Sequence, residues 1–107
     1  MGQALQQAIA DAGHSCAGGV DKNGDVSGLA ANCDALVDFS APAALSENLQ
    51  AAQAASVPMV IGTTGLADDH HTLIGDAAQN IAILQTGNTS LGVTLLAHLV
   101  QQAASKL

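Results

Sequence analysis

Apolar positions along the chain follow two rhythms that alternate, one of period 3.6 and one of short continuous runs. Met1, Leu5, Ala8, Ile9 and Ala12 recur at helical spacing, and Gly13 sits where a C-terminal cap belongs. "HSCAGGV" (14–20) predicts a weak strand that ends at Asp21 and Lys22. "KNGDVSG" reads as a turn and "LAAN" as a short helical piece at most. "DALVDFS" (34–40) predicts a clear strand, with Leu36, Val37 and Phe39 as its apolar content. Ser40 then offers an N-cap, Pro42 sits in the first turn, and Leu45 and Leu49 give the next helix its stripe. A strand over 58–61 runs into Gly62-Thr63-Thr64-Gly65, and a helix over roughly 67–79 follows, with Asp68 and Asp69 where the macrodipole favours acids. "IAILQ" (81–85) is the fourth predicted strand and "TGNTSLG" (86–92) a loop. Leu95, Leu96, Leu99, Val100 and Ala103 mark a last helix, whose leucines are expected in the core.

Strands separated by helices pair in parallel through right-handed crossovers, which predicts an α/β fold: a Rossmann-like parallel sheet with helices on both faces. In such sheets ligands sit beyond the carboxyl ends of the strands. The loops "DKNG", "SAP", "GTTG" and "TGNTS" each follow a predicted strand and so share that edge. Glycines bracketing two threonines suit a loop that lets a ligand approach its backbone; a plain turn has no need of the hydroxyls. The chain opens on a helix, where the dinucleotide fold usually opens on a strand and a Gly-rich turn. The fold is therefore expected to lack the usual first strand. With Gly2 as the last glycine of that turn, Asp21 falls close to the ~20-residue spacing of a ribose-binding acid.

Composition narrows the function. The 107 residues form one domain at most, and with a single Phe39 and no Trp or Tyr its core must come from Leu, Ile, Val and Ala. Nine acids against Lys22 and Lys106 give a net charge of −7, which disfavours nucleic acid as a partner. No run reaches the ~18–20 apolar residues of a membrane span. "MGQALQQAIADAG" lacks a basic leader region and carries Asp11, which argues against a signal peptide. A cytoplasmic location without membrane partners is expected. Cys16 and Cys33 have no metal-like spacing and are expected to be reduced and partly buried. Adjacent His70 and His71 point apart on a helix and read as solvent-exposed, and His98 reads as a surface residue. Asp38, an acid in an apolar run, fits either a structural hydrogen-bonding role or a place in the lining of a site.

"MGQAL", "VDK", "VDFSAP", "VIGTTGL" and "GNTSLGVTLL" follow one another in the order found in dihydrodipicolinate reductase (4-hydroxy-tetrahydrodipicolinate reductase), and the chain resembles that family over essentially its whole length. The resemblance implies the cofactor domain of an enzyme that transfers a hydride from NADH or NADPH in lysine and diaminopimelate biosynthesis. It implies that Asp21 accepts the adenosine ribose hydroxyls and that Lys22 stands where a basic residue meets the 2′-phosphate of NADPH. Gly62, Thr63 and Thr64 would line the nicotinamide side, with Thr86, Gly87, Asn88 and Thr89 as the second loop around it. Met1 would match the last cofactor-contacting position of the Gly-rich loop. By the same comparison residues 1–107 are a partial NAD(P)-binding domain, with the C-terminal substrate and tetramerisation domain absent. No residue corresponds to the family's catalytic segment, so the isolated chain is expected not to catalyse reduction. The alternatives are a non-catalytic dinucleotide-binding module and an inactive fragment that needs a strand supplied in trans.

Overall fold

The computed structural model describes residues 1–87 and 90–106. In chain order the elements are α1 (Gly2–Asp11), α2 (Val26–Ala30), β1 (Leu36–Asp38), a 3₁₀ turn (Pro42–Ala44) that runs into α3 (Leu45–Ala55), β2 (Met59–Ile61), α4 (Asp68–Ala77), β3 (Ile83–Gln85) and α5 (Leu91–Ala104). The three strands form one parallel sheet in the order β1-β2-β3, with Leu36 opposite Met59 and Met59 opposite Ile83. This is the Rossmann-like α/β architecture that the alternating rhythms predict.

Two crossovers of one hand and one direction bring α3 and α4 to the same face of the sheet. That face carries the alternate positions Leu36, Met59 and Ile61, which join Leu45, Leu49, Ala52, Ile74 and Ala77 in a single apolar cluster. Leu45, Met59 and Ile61 are the largest side chains fully withdrawn from solvent. The opposite face presents Val37 and Leu84, both exposed. Four of the buried apolar residues are alanines (Ala30, Ala51, Ala52 and Ala77), so the core is built from few carbons per residue.

Local chemistry sets the boundaries. Helix α1 closes as expected: Gly13 takes a left-handed φ of 82°, and the His14 N–H reaches the Ile9 carbonyl at 3.0 Å. Helix α2 is longer than the short piece expected from "LAAN", because the Asp25 carboxylate accepts from the Gly28 N–H at 2.9 Å and starts a helix at Val26. Ser40 is not an N-cap. Ala41 takes that position without a side-chain bond, and the Ser40 hydroxyl turns to Asp38 instead.

Two expectations are corrected. Residues 14–20 form no strand and are exposed throughout. A strand exists only where a neighbour completes its ladder, and in the doubly wound order the neighbour of this segment is the first strand. None of the described strands pairs with it. Helix α5 buries no residue, and Leu95, Leu96, Leu99 and Val100 are between 52% and 60% exposed, so they are not core. Helical periodicity says that one face is apolar; it does not say that this chain supplies the cover. Of the cysteines, Cys16 is exposed and Cys33 half-buried, and neither is in a disulfide.

Ser56 closes α3 in the left-handed region at φ 56° and ψ 38°, where a Cβ crowds the backbone. The Val57 N–H still reaches back to the Ala52 carbonyl at 3.0 Å, so the cap itself is complete. Ser56→Gly is therefore expected to stabilise the fold by about 0.5–1 kcal/mol. A thermal melt would show this as a rise of a few degrees, and an unchanged or lower midpoint would mean that the serine is not strained there.

Candidate functional site

The carboxyl ends of the strands are extended by one hydrogen bond on each side of β2. Gly62 N–H donates to the Asp38 carbonyl at 2.8 Å, and Thr86 N–H donates to the Ile61 carbonyl at 2.9 Å. The three loops that leave β1, β2 and β3 therefore start in fixed register. Between them lie two adjoining cavities. The larger, of about 430 Å³, is lined by Met1, Phe39, Ser40, Gly62, Thr63, Thr64, Gly87 and Ser90. The smaller, of about 220 Å³, is lined by Thr63, Thr64, Gly65, Leu66, His71, Gln85 and Gly87. Thr63, Thr64 and Gly87 border both, so the Gly-Thr-Thr-Gly loop is the wall they share. A cavity of this size falls within the range of small-molecule sites, roughly 300–1,000 Å³.

Five of the sequence-predicted residues, Met1, Gly62, Thr63, Thr64 and Gly87, line the larger cavity. Thr86 sits half-buried at the end of β3, where its N–H completes the ladder. Asp21 and Lys22 are exposed on the turn before α2 and border neither cavity. The Asp21 carboxylate accepts from the Lys22 N–H at 2.8 Å, and its carbonyl accepts from Gly24 N–H at 2.7 Å, which shapes the turn. Asn88 and Thr89 lie outside the described residues.

The lining residues missed by sequence reasoning are chiefly Phe39, Ser40 and Ser90. Phe39 was counted as strand, but β1 ends at Asp38 and Phe39 is the first residue of the loop beyond it. Its ring lies so close to Gly62 that a Cβ there would overlap it. Glycine at 62 is thus the residue that admits an aromatic wall. Ser90 lies at the start of α5, where its hydroxyl accepts from the Val93 N–H at 3.4 Å.

Among the described residues no Asp, Glu, Lys or Arg side chain lines either cavity. The larger lining offers hydroxyls, backbone groups and an aromatic ring. At the rim, α1 opens beside Met1 without a side-chain cap. His70 is not simply solvent-exposed: its Nδ1 accepts from the Ala67 N–H at 3.0 Å and closes the start of α4. His71 is exposed, and its ring pairs with the Gln85 amide at 3.3 Å on the edge of the smaller cavity. His98 is exposed on α5, as expected.

Beneath the wall, Asp38 is only 5% exposed and makes no appearance in either lining. Its Oδ1 accepts from the Ser40 N–H at 2.9 Å, the Ser40 hydroxyl at 2.5 Å and the Thr63 hydroxyl at 3.2 Å. Its Oδ2 accepts from the Asn48 amide of α3 at 3.1 Å. Among the described residues no group of three or more His, Cys, Asp or Glu is placed to hold a metal ion, and no helix is long and apolar enough to cross a membrane.

Residues 1–89 match the family model described as "Dihydrodipicolinate reductase, N-terminus". The chain belongs to that family. Its sheet and helices are those of the family's dinucleotide-binding domain, which is the α/β fold seen here. Curated relatives include a 4-hydroxy-tetrahydrodipicolinate reductase of Zymomonas mobilis subsp. mobilis, 44% identical over all of this chain and 45% of its own length. A protein of the same name from Acidiphilium cryptum is 36% identical over all of this chain and 43% of its own. Another from Pseudoalteromonas translucida is 49% identical over 70% of this chain and 28% of its own. The chain thus spans less than half the length of the curated relatives it matches.

Proposed function

We propose that this chain is the cofactor-binding part of a 4-hydroxy-tetrahydrodipicolinate reductase, and that its ligand is NADH or NADPH. The observation that carries this reading is the convergence of Met1, Gly62, Thr63, Thr64 and Gly87 on one cavity at the carboxyl edge of a parallel sheet. The nicotinamide ring is assigned to that cavity, against Phe39 and the Gly-Thr-Thr-Gly wall, with Thr86, Gly87, Asn88 and Thr89 on its other side. The pyrophosphate is assigned to the uncapped start of α1, Asp21 to the ribose hydroxyls and Lys22 to a 2′-phosphate when one is present. Bound there, the nicotinamide would supply the hydride. The residues of this chain would bind the ring, orient it and hold its carboxamide. Reduction of a dihydrodipicolinate-type substrate in lysine and diaminopimelate biosynthesis, by a homotetramer, is the proposed role of the whole protein.

A thermal melt with and without millimolar NADH or NADPH tests the assignment. A ligand at 100 times its dissociation constant stabilises the folded state by about 2.7 kcal/mol. The expected result is a cooperative transition that rises by several degrees with either dinucleotide. A transition insensitive to both would overturn the reading. Asp21→Ala is expected to reduce the shift, and an undiminished shift would remove Asp21 from the site.

A further inference from the structure

Four hydrogen-bond donors converge on Asp38: the Ser40 N–H, the Ser40 hydroxyl, the Thr63 hydroxyl and the Asn48 amide. An ionised carboxylate is acceptor-only and is the side chain that satisfies such a set. The Ser40 N–H also reaches the Thr63 hydroxyl oxygen at 3.2 Å, so the bonds form a closed network rather than separate pairs. This network joins three elements. Ser40 belongs to the loop after β1, Thr63 to the loop after β2, and Asn48 to the middle of α3. Ser40 and Thr63 border the larger cavity, whereas Asp38 lies behind them. A burial this deep is unfavourable for a carboxylate unless donors replace its water, and here every donor that replaces water belongs to a loop of the site or to the helix that backs it.

We infer that Asp38 is a positioning residue for the nicotinamide wall: it fixes Ser40 and Thr63 relative to one another and ties both to α3 through Asn48. The inference rests on the cofactor reading above, and it deepens that reading by naming the group that pre-forms the wall. The aspartate at the end of β1 is then neither a lining residue nor a mere filler of the core. Pre-formed loops lower the ordering cost of ligand binding, and loss of the tie should be felt on the nicotinamide side alone.

Asp38→Asn changes one acceptor oxygen into a donor at constant size, so two donors face each other within the network. Asn48→Ala removes the anchor to α3 without touching the cavity lining, and it serves if the first variant does not fold. Affinities for NADH and for ADP-ribose, which lacks the nicotinamide, are measured by calorimetry on the unsubstituted chain and both variants. The expected result is NADH binding weakened about tenfold with ADP-ribose binding held within about twofold. Unchanged NADH affinity in a folded variant, or equal loss for both ligands, would overturn the positioning role. Amide hydrogen exchange gives a readout that does not depend on binding. Faster exchange confined to Ser40 and residues 62–64 supports the role, and a uniform change or none overturns it. If the unsubstituted chain binds neither ligand, the cofactor reading fails, and the exchange comparison still decides what Asp38 does.

Discussion

Leu45→Ala is expected to lower the thermal midpoint of the chain by ten degrees or more, or to abolish the cooperative transition. Leu45 is 0% exposed, begins α3 and packs in one cluster with Met59 and Ile61 of the central strand. Leucine-to-alanine changes at such positions lose about 2–5 kcal/mol, against a total of ~5–15 kcal/mol for a typical domain. Here the margin is narrow, because alanines supply much of the buried surface and no aromatic residue fills the space beside them. Circular dichroism through a temperature ramp makes the comparison, with Leu96→Ala as its partner. Leu96 is 60% exposed on α5, and its truncation is expected to change stability by no more than about 0.5 kcal/mol. Equal losses from the two variants would mean that α5 is packed in solution as tightly as α3.

Gly62→Ala is the second large effect. The added Cβ would overlap the Phe39 ring, which must then turn away from its place in the cavity wall. The neighbouring backbone cannot yield freely, because the Gly62 N–H is committed to the Asp38 carbonyl at 2.8 Å. Overpacking of this kind costs about 1–3 kcal/mol, and the displaced ring alters the surface offered to a ligand. The NADH-dependent rise in midpoint is expected to disappear in Gly62→Ala while a folded transition survives. Adding Phe39→Ala should relieve the overlap and recover the lost stability, without recovering full affinity, since the aromatic wall is gone. A single variant that melts and binds as the parent would mean that the ring does not occupy the position described.

Much of this was legible in the sequence, and the exceptions have physical reasons. The runs around Val37, Val60 and Leu84 gave the strands, the stripe of Leu45 and Leu49 gave α3, and Asp68 and Asp69 marked the start of α4. Gly62 through Gly65 marked a loop at the carboxyl edge, and Thr63 and Thr64 line both cavities there. Residues 14–20 misled because strand character is local whereas a strand is a pair. The leucines of α5 misled for the related reason that an apolar face implies a cover without specifying its source. A serine two residues ahead of a proline suits a cap, yet the Ser40 hydroxyl donates to the buried Asp38 carboxylate and Ala41 stands at the cap position. Phe39 was hidden by alternation: one residue decides whether a side chain ends a strand or opens a loop. The role of Asp21 came from its spacing after Gly2 and from resemblance, that of Lys22 from resemblance alone, and their exposed turn adds no further argument.

The strand order has a consequence for how the domain comes to exist. Because β1, β2 and β3 lie in the sheet in the sequence in which they are written, each new strand docks on the one made just before it. Among the described strands none is inserted between two made earlier, so each unit of strand, helix and strand can close as soon as it is complete. Loop closures are nearly equal in length for both ladders, so neither pairing waits on a much longer closure than the other. The central strand β2, made in the middle, is the first to find a partner on one side and the only one of the three to gain a partner on both.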